Sequence, residues 1–155
     1  MNFQFKVMEL LDLKRVLEIE AASHSHPWSK KNFEDCIMQN YWNYVLLEDL
    51  KEESNYIGHS IVMPGVEELH LLNITIAPNF RRQNIATRAL LAIESMGQKH
   101  AFAKILLEVR KSNIHAIKLY EKLAYQVIGN RKDYYSVEGH PSSREDALVM
   151  EKMIR

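Results

Sequence analysis

A chain of 155 residues, 46% of them hydrophobic, is long enough to bury one core without metals or disulfides and too apolar to be disordered. Its 20 Lys and Arg balance 20 Asp and Glu, which argues against a mainly nucleic-acid-binding role while leaving room for a local basic patch. The only cysteine, Cys36, excludes an internal disulfide and points to a reducing compartment; with no apolar run of spanning length and no signal peptide, the expectation is one domain over 1–155 in the cytoplasm.

In chain order, residues 3–9 read as an edge strand. Asp12 is placed to cap a helix reaching about Ala22, with Leu13, Val16, Leu17 and Glu20 spaced for one face. His24-Ser25-His26-Pro27-Trp28 is a loop, after which Ser29 caps a second helix carrying Phe33, Cys36 and Ile37. Residues 43–48 and 56–63 read as strands joined by a polar turn, Asp49 to Asn55. A β-branched strand over 67–76 follows, stopped by Ala77-Pro78. The basic turn Arg81 to Thr87 opens a helix to about His100, on which Ala86, Ala89, Leu90, Ile93 and Met96 recur at helical spacing. Residues 104–109 form a short apolar strand ending in Glu108-Val109. Asn113 opens a helix through Leu123, Tyr125 to Arg131 is a strand, and a loop rich in Tyr, Gly, Pro and Ser leads to a last strand, Asp146 to Lys152.

The order β-α-α-β-β-β-α-β-α-β-β predicts an α/β protein with a mixed sheet flanked by helices. The unit over 67–109 should be a right-handed parallel crossover. That connection brings the turn at 81–87 to the carboxyl ends of the strands, where open α/β sheets bind ligands.

The turn is the sharpest chemical signal. Free N–H groups at the start of a helix, together with its dipole, favour a phosphate or pyrophosphate. Basic residues there oppose the dipole unless an anion is bound; the bland alternative is an ordinary polar turn. It has neither the Lys-Ser or Lys-Thr pair of a nucleotide loop nor the three glycines of a dinucleotide fingerprint. Asn84 tolerates a left-handed backbone and Ala86 is small, so both suit a close approach of backbone to ligand.

Glu108, at the end of an apolar strand, is either a general base with a raised pKa or a partner of Arg110 or Lys111. Asn113 and Tyr120, seven residues apart, share a helix face, so that one strand–turn–helix unit offers a carboxylate, an amide and a phenol. The phenol alone reads equally as a core tyrosine. His24 and His26 lack a third metal ligand, and Cys36 lies on an apolar stripe without an adjacent base. Tyr134 and Tyr135 line a binding surface or pack at a strand end.

Three of these segments, Asn73 to Pro78, Arg81 to Ala86, and Leu107-Glu108-Val109-Arg110-Lys111-Ser112-Asn113 followed by Ala116 to Tyr120, resemble the GNAT acetyltransferases. Pro27-Trp28-Ser29, Tyr134-Tyr135 and Arg144-Glu145-Asp146-Ala147 are similar to the RimI branch, which acetylates the N-terminal alanine of the eighteenth small-subunit ribosomal protein. The resemblance implies acetyl-CoA as co-substrate, no metal, the terminus of a ribosomal protein as partner, and no direct binding of nucleic acid or membrane.

It implies roles too. The stretch Ile74-Thr75-Ile76 meets the pantetheine arm and the thioester oxygen through its backbone. The N–H groups of Arg82, Gln83, Asn84, Ile85, Ala86 and Thr87 hold the pyrophosphate, and Asn113 hydrogen-bonds the cofactor. Glu108 is the general base, acting through water, Tyr120 the general acid toward the departing thiolate, and Trp28, Tyr134 and Tyr135 are on the substrate side. Asn84 and Ala86 stand where the usual glycines of the turn would be, and the loop after Tyr135 is longer than usual. Acetylation of a lysine or a small amine is the alternative activity, and a weakly catalytic coenzyme A sensor the alternative class.

Overall fold

The computed structural model describes residues 2–48, 55–137 and 139–155. Except for Asn55, the expected turn from Asp49 lies outside them. Seven strands and four α-helices are described: β1 (Phe3–Val7), α1 (Leu13–Ser23), α2 (Lys30–Met38), β2 (Trp42–Glu48), β3 (Tyr56–Pro64), β4 (Glu68–Ile76), α3 (Ile85–Lys99), β5 (Lys104–Arg110), α4 (Ile114–Lys122), β6 (Gln126–Val137) and β7 (His140–Met153). Their order is the expected one. They form one mixed sheet in the order β1-β2-β3-β4-β5-β7-β6, and β4 and β5 run parallel from Glu68↔Lys104 to Leu71↔Leu107. By compactness the chain divides into two units, Met1–Pro64 with Leu72–Ala89, and Gly65–Leu71 with Leu90–Arg155.

The first unit has two apolar clusters. One gathers Met8, Leu13, Val16, Phe33, Cys36, Val45, Leu47 and Ile61, so Cys36 is core as expected, with Ile37 packed partly buried against it. The other joins Leu46, Ile57, Ile85 and Ala89, with Ile74 and Ile76 against it. Strand alternation therefore sends Ile74 and Ile76 to one face of β4 and Asn73 and Thr75 to the other. Gly58 on β3 makes this approach feasible: a Cβ there would lie 2.3 Å from the Thr75 carbonyl oxygen.

Ser29 caps α2 as expected, its side chain accepting from the Asn32 N–H. Asp12 does not cap α1. Its backbone is already helical, and a short 3-10 turn, Leu10–Asp12, precedes the helix. Its carboxylate turns back instead, accepting from the Glu9 N–H at 2.8 Å, the Tyr56 hydroxyl at 2.6 Å and Lys6 at 2.9 Å. Burial alone would raise Asp12, but these donors hold it below the usual carboxylate range and keep Tyr56 protonated up to about 12.

In the second unit, Leu69, Leu90, Ile93, Ile105, Leu107, Val109, Ile117 and Met150 are buried. Both helices in it end in the same way. After α4, the Tyr125 N–H donates to the Tyr120 carbonyl and the Ala124 N–H to that of Glu121, with Ala124 left-handed at φ 73°. After α3, Phe102 and Ala101 repeat the pattern onto Gly97 and Gln98.

The largest departure from expectation is the last hairpin. The region read as a Tyr-, Gly-, Pro- and Ser-rich loop is mostly strand, so Tyr134 and Tyr135 lie on β6. Between the pairs Arg131↔Ala147 and Tyr135↔Glu145, β6 advances four residues while β7 advances two, which is a bulge. Asp146 holds it, accepting from the Asp133 N–H at 3.0 Å and the Asn130 amide at 3.1 Å, and Asp133 is left-handed at φ 52°. Polar residues signal turns, and here they make a bulge inside a ladder.

Candidate active site

The basic turn of the first unit has the conformation its residues suggested. Arg82 and Asn84 are left-handed, at φ 62° and 58°. Arg81, Arg82, Gln83 and Asn84 are exposed, Ile85 is buried as an anchor, and Ala86 and Thr87 are half-buried. The Asn84 carbonyl accepts the first helical bond, from the Arg88 N–H at 3.0 Å, so the N–H groups of Ile85, Ala86 and Thr87 have no acceptor within α3. Arg81 is tied back to the Ile76 carbonyl through Nε at 3.3 Å. Left-handed residues in a helix-opening turn aim several N–H groups at one point, the geometry of an anion cradle. Asparagine reaches this conformation through its short polar side chain, so the usual glycine is dispensable there.

One side of β4 faces a buried polar network absent from the sequence reading. Glu20, expected among apolar neighbours on α1, is 1% exposed. It accepts from His59 Nε2 at 2.8 Å, the Trp28 N–H at 3.0 Å and the Asn73 amide at 3.2 and 3.3 Å, with Thr75 Oγ1 3.3 Å away. Burial pushes its pKa up, but His59, the Trp28 N–H and the nearby His24 outweigh that and hold it below the usual range. His24 turns inward from the end of α1, Nε2 at 2.8 Å from Thr75 Oγ1, whereas His26 Nδ1 lies 3.2 Å from the Ser25 hydroxyl in the exposed loop. Burial, opposed by Glu20 and reinforced by His59 and Arg81, lowers the His24 pKa. Trp28, held to Glu20 by its backbone, packs its ring on Phe33 and lines an open hollow of about 570 Å³ with Asp35, Cys36, Met38 and Tyr41.

In the second unit Glu108 sits on β5 with its side chain 28% exposed, and its partners are on β6. Arg131 Nε is 3.1 Å from its carboxylate, and the Tyr134 hydroxyl donates to it, which raises the tyrosine pKa. The Arg131 guanidinium also lies 5.3 Å from the Tyr134 ring centroid. Arg131 thus replaces the expected partners Arg110 and Lys111. Arg110 is engaged elsewhere, donating to Glu145 at 3.0 Å and to the Ser136 carbonyl at 2.6 Å, 4.4 Å beneath the Tyr135 ring. Tyr135 stands edge-on to Tyr134 at 4.9 Å and is pushed up to about 12 by burial and by Glu108.

Tyr120 is buried on α4, and burial, then Tyr135, push it up to about 12, so it keeps its proton at neutral pH. Asn113 is the exposed cap of that helix, its Oδ1 accepting from the Ala116 N–H at 3.2 Å. The expected shared face of Asn113 and Tyr120 therefore resolves into an exposed cap and a buried phenol. Arg131 and the Glu20 network are the residues sequence reasoning missed. Arg131 precedes the paired tyrosines by three positions, a signal legible only once the bulge is known.

Comparison with known proteins supplies a family. Residues 13–125 match the model of the acetyltransferase (GNAT) family. The [ribosomal protein bS18]-alanine N-acetyltransferase of Haemophilus ducreyi is 34% identical over 90% of this chain and 92% of its own. The enzyme of that name from Escherichia coli K12 is 32% identical over 92% of each. The crystal structure of the Escherichia coli ribosomal-protein-S18-alanine N-acetyltransferase superposes with a TM-score of 0.86 at 31% identity, covering 99% of this chain and 94% of that one. Ard1 from Thermoplasma volcanium, at 18% identity and a TM-score of 0.84 over 100% and 99% of the two chains, shares the fold.

Proposed function

The chain belongs to the GNAT acetyltransferase family, and on that premise we propose that it transfers acetyl from acetyl-CoA to the N-terminal alanine of a small-subunit ribosomal protein. The family makes it an acetyl-CoA-dependent N-acetyltransferase. The observation that carries the finer reading is its likeness, along about nine-tenths of both chains, to enzymes named for the bS18 alanine. No helix among the described residues is long and apolar enough to cross a membrane. We place the reaction in the cytoplasm, with its ribosomal substrate.

The residues of the turn fit the co-substrate. Left-handed Arg82 and Asn84 and the N–H groups from Ile85 to Thr87 suit a pyrophosphate, the backbone of Ile74 to Ile76 the pantetheine arm, and Asn113 a further hydrogen bond. Bound acetyl-CoA supplies an activated carbonyl. The chain's own groups then handle protons. An α-ammonium has an unperturbed pKa of roughly 7.7–8.0, so near neutral pH it must lose a proton before its nitrogen is nucleophilic. Glu108 accepts a proton from that nitrogen through water, and its ion pair with Arg131 is one that an incoming ammonium displaces. Tyr120, still protonated, donates to the departing sulfur. Trp28, Tyr134 and Tyr135 orient the peptide.

A peptide beginning with alanine, offered with acetyl-CoA beside a twin that has a blocked terminus and one lysine, tests the reading by mass spectrometry. Product on the free α-amine alone is expected. Acetyl on the lysine, or on neither, overturns it.

A further inference from the structure

Acetylating an α-ammonium takes two protons from one nitrogen, since R–NH3+ becomes an amide N–H. One proton ends on the departing thiol, the other in solvent. Glu108 accounts for one acceptor in the function proposed above, on which this inference rests. The network around Glu20 is arranged to provide another.

The chain of hydrogen bonds fixes the direction of each donor. Thr75 has one hydroxyl proton, and its shortest contact is Asn73 Oδ1 at 2.7 Å. The Asn73 amide in turn donates to Glu20 at 3.2 and 3.3 Å. With its proton directed to Asn73, Thr75 Oγ1 accepts at its 2.8 Å contact with His24, so Nε2 of His24 is the donor. The Nδ1 lone pair is then left on a side chain 40% exposed. Behind the ring lies the anionic, 1% exposed Glu20, 3.7 Å from Nε2. An imidazole that donates through one nitrogen beside a buried carboxylate, on a side chain partly open to solvent, is an arrangement by which a histidine takes a proton at its other nitrogen.

We infer that His24 Nδ1 accepts a proton of the substrate α-ammonium, with Thr75 and Glu20 as positioning residues. In this step the N–H electron pair stays on the substrate nitrogen, a new H–Nδ1 bond forms, and the imidazolium returns the proton to solvent. Thr75 lies between Ile74 and Ile76, the residues assigned to the thioester end of the pantetheine. His24 therefore touches the strand where the nitrogen must arrive. An imidazole is also better matched than a carboxylate to an amine that ionises near pH 8. The charged and titratable groups facing His24 are Glu20 from α1, His59 from β3 and Arg81 from the turn. Glu20 favours the imidazolium, and the other two, with burial, make it release its proton readily.

Two measurements on the full chain test this. Nitrogen NMR of 15N-histidine protein, with His24→Gln used to assign the signal, should find His24 protonated at Nε2 and bare at Nδ1; the opposite tautomer overturns the assignment. In peptide acetylation, His24→Gln should lower kcat/KM about 10²-fold near pH 6.5. The deficit should shrink as pH passes roughly 8, where the amine ionises unaided. A loss of equal size at every pH, or none, overturns the role of His24 while leaving the proposed function standing. A wild-type protein that does not acetylate the α-amine overturns both.

Discussion

Glu20 and Glu108 are both carboxylates held by side chains from neighbouring strands, yet they are held in opposite ways. Glu20 is 1% exposed and takes donors from the α1–α2 backbone, β3 and β4. Each donor would be stranded without it, so its charge is fixed in place. Glu108 is 28% exposed and takes one guanidinium, itself 56% exposed, and one phenol. Such a pair exchanges with solvent and with other cations at little cost. A buried carboxylate with a full shell organises the chain around it. One with a loose, replaceable partner is free to receive a substrate.

The contrast breaks first at Glu20. Glu20→Ala should destabilise by about 3–5 kcal/mol in urea titration, because His59, Asn73 and the Trp28 N–H lose their acceptor; a loss below about 1 kcal/mol would remove Glu20 from its organising role. Gly58→Ala should cost about 1–3 kcal/mol, since its Cβ would meet the Thr75 carbonyl oxygen at 2.3 Å and displace β3 or β4. Neutral behaviour there would mean that this spacing is not tight.

Acid should sharpen the same contrast. Glu20 and His24 are both below their ordinary ranges when folded, so the folded chain binds fewer protons than the unfolded. Their stabilisation is complete above the unfolded imidazole value of roughly 6.5, declines as pH falls through it, and declines further below roughly 4.3, where an unfolded glutamate takes its proton. His24→Gln should flatten the upper part of that curve, and an unchanged curve would refute the linkage. Ala124→Gly, at φ 73° after α4, should stabilise by roughly 0.5–1 kcal/mol by relieving the left-handed alanine. Smallest of all, Arg131→Gln should change stability by about 0.2–1 kcal/mol while altering the pH and salt dependence of turnover. A larger loss would make Arg131 a structural group.

Much of this was legible in the sequence where local chemistry decides. The strand–turn–helix around Arg81 to Thr87, the Ser29 cap, the order of elements and the left-handed Asn84 each follow from residues within a few positions of one another. What escaped reading depends on distant partners. Glu20 looks like one polar interruption of an apolar face until His59, Asn73 and Thr75 come to it from 39, 53 and 55 residues away. Asp12 looks like a cap until Tyr56 claims it across 44 residues. The β6–β7 hairpin was hidden because Asp146 turns a polar, turn-like segment into a bulge, and with it went the Arg131–Glu108 pair.

The measurement that bears most directly on the difference between the two glutamates is the rate of peptide α-amine acetylation by Glu108→Gln at saturating acetyl-CoA. The account predicts a loss of about 10²–10⁴-fold with acetyl-CoA still protecting the protein against thermal unfolding. Wild-type turnover would contradict it and return Glu108 to the role of an ordinary surface partner of Arg131.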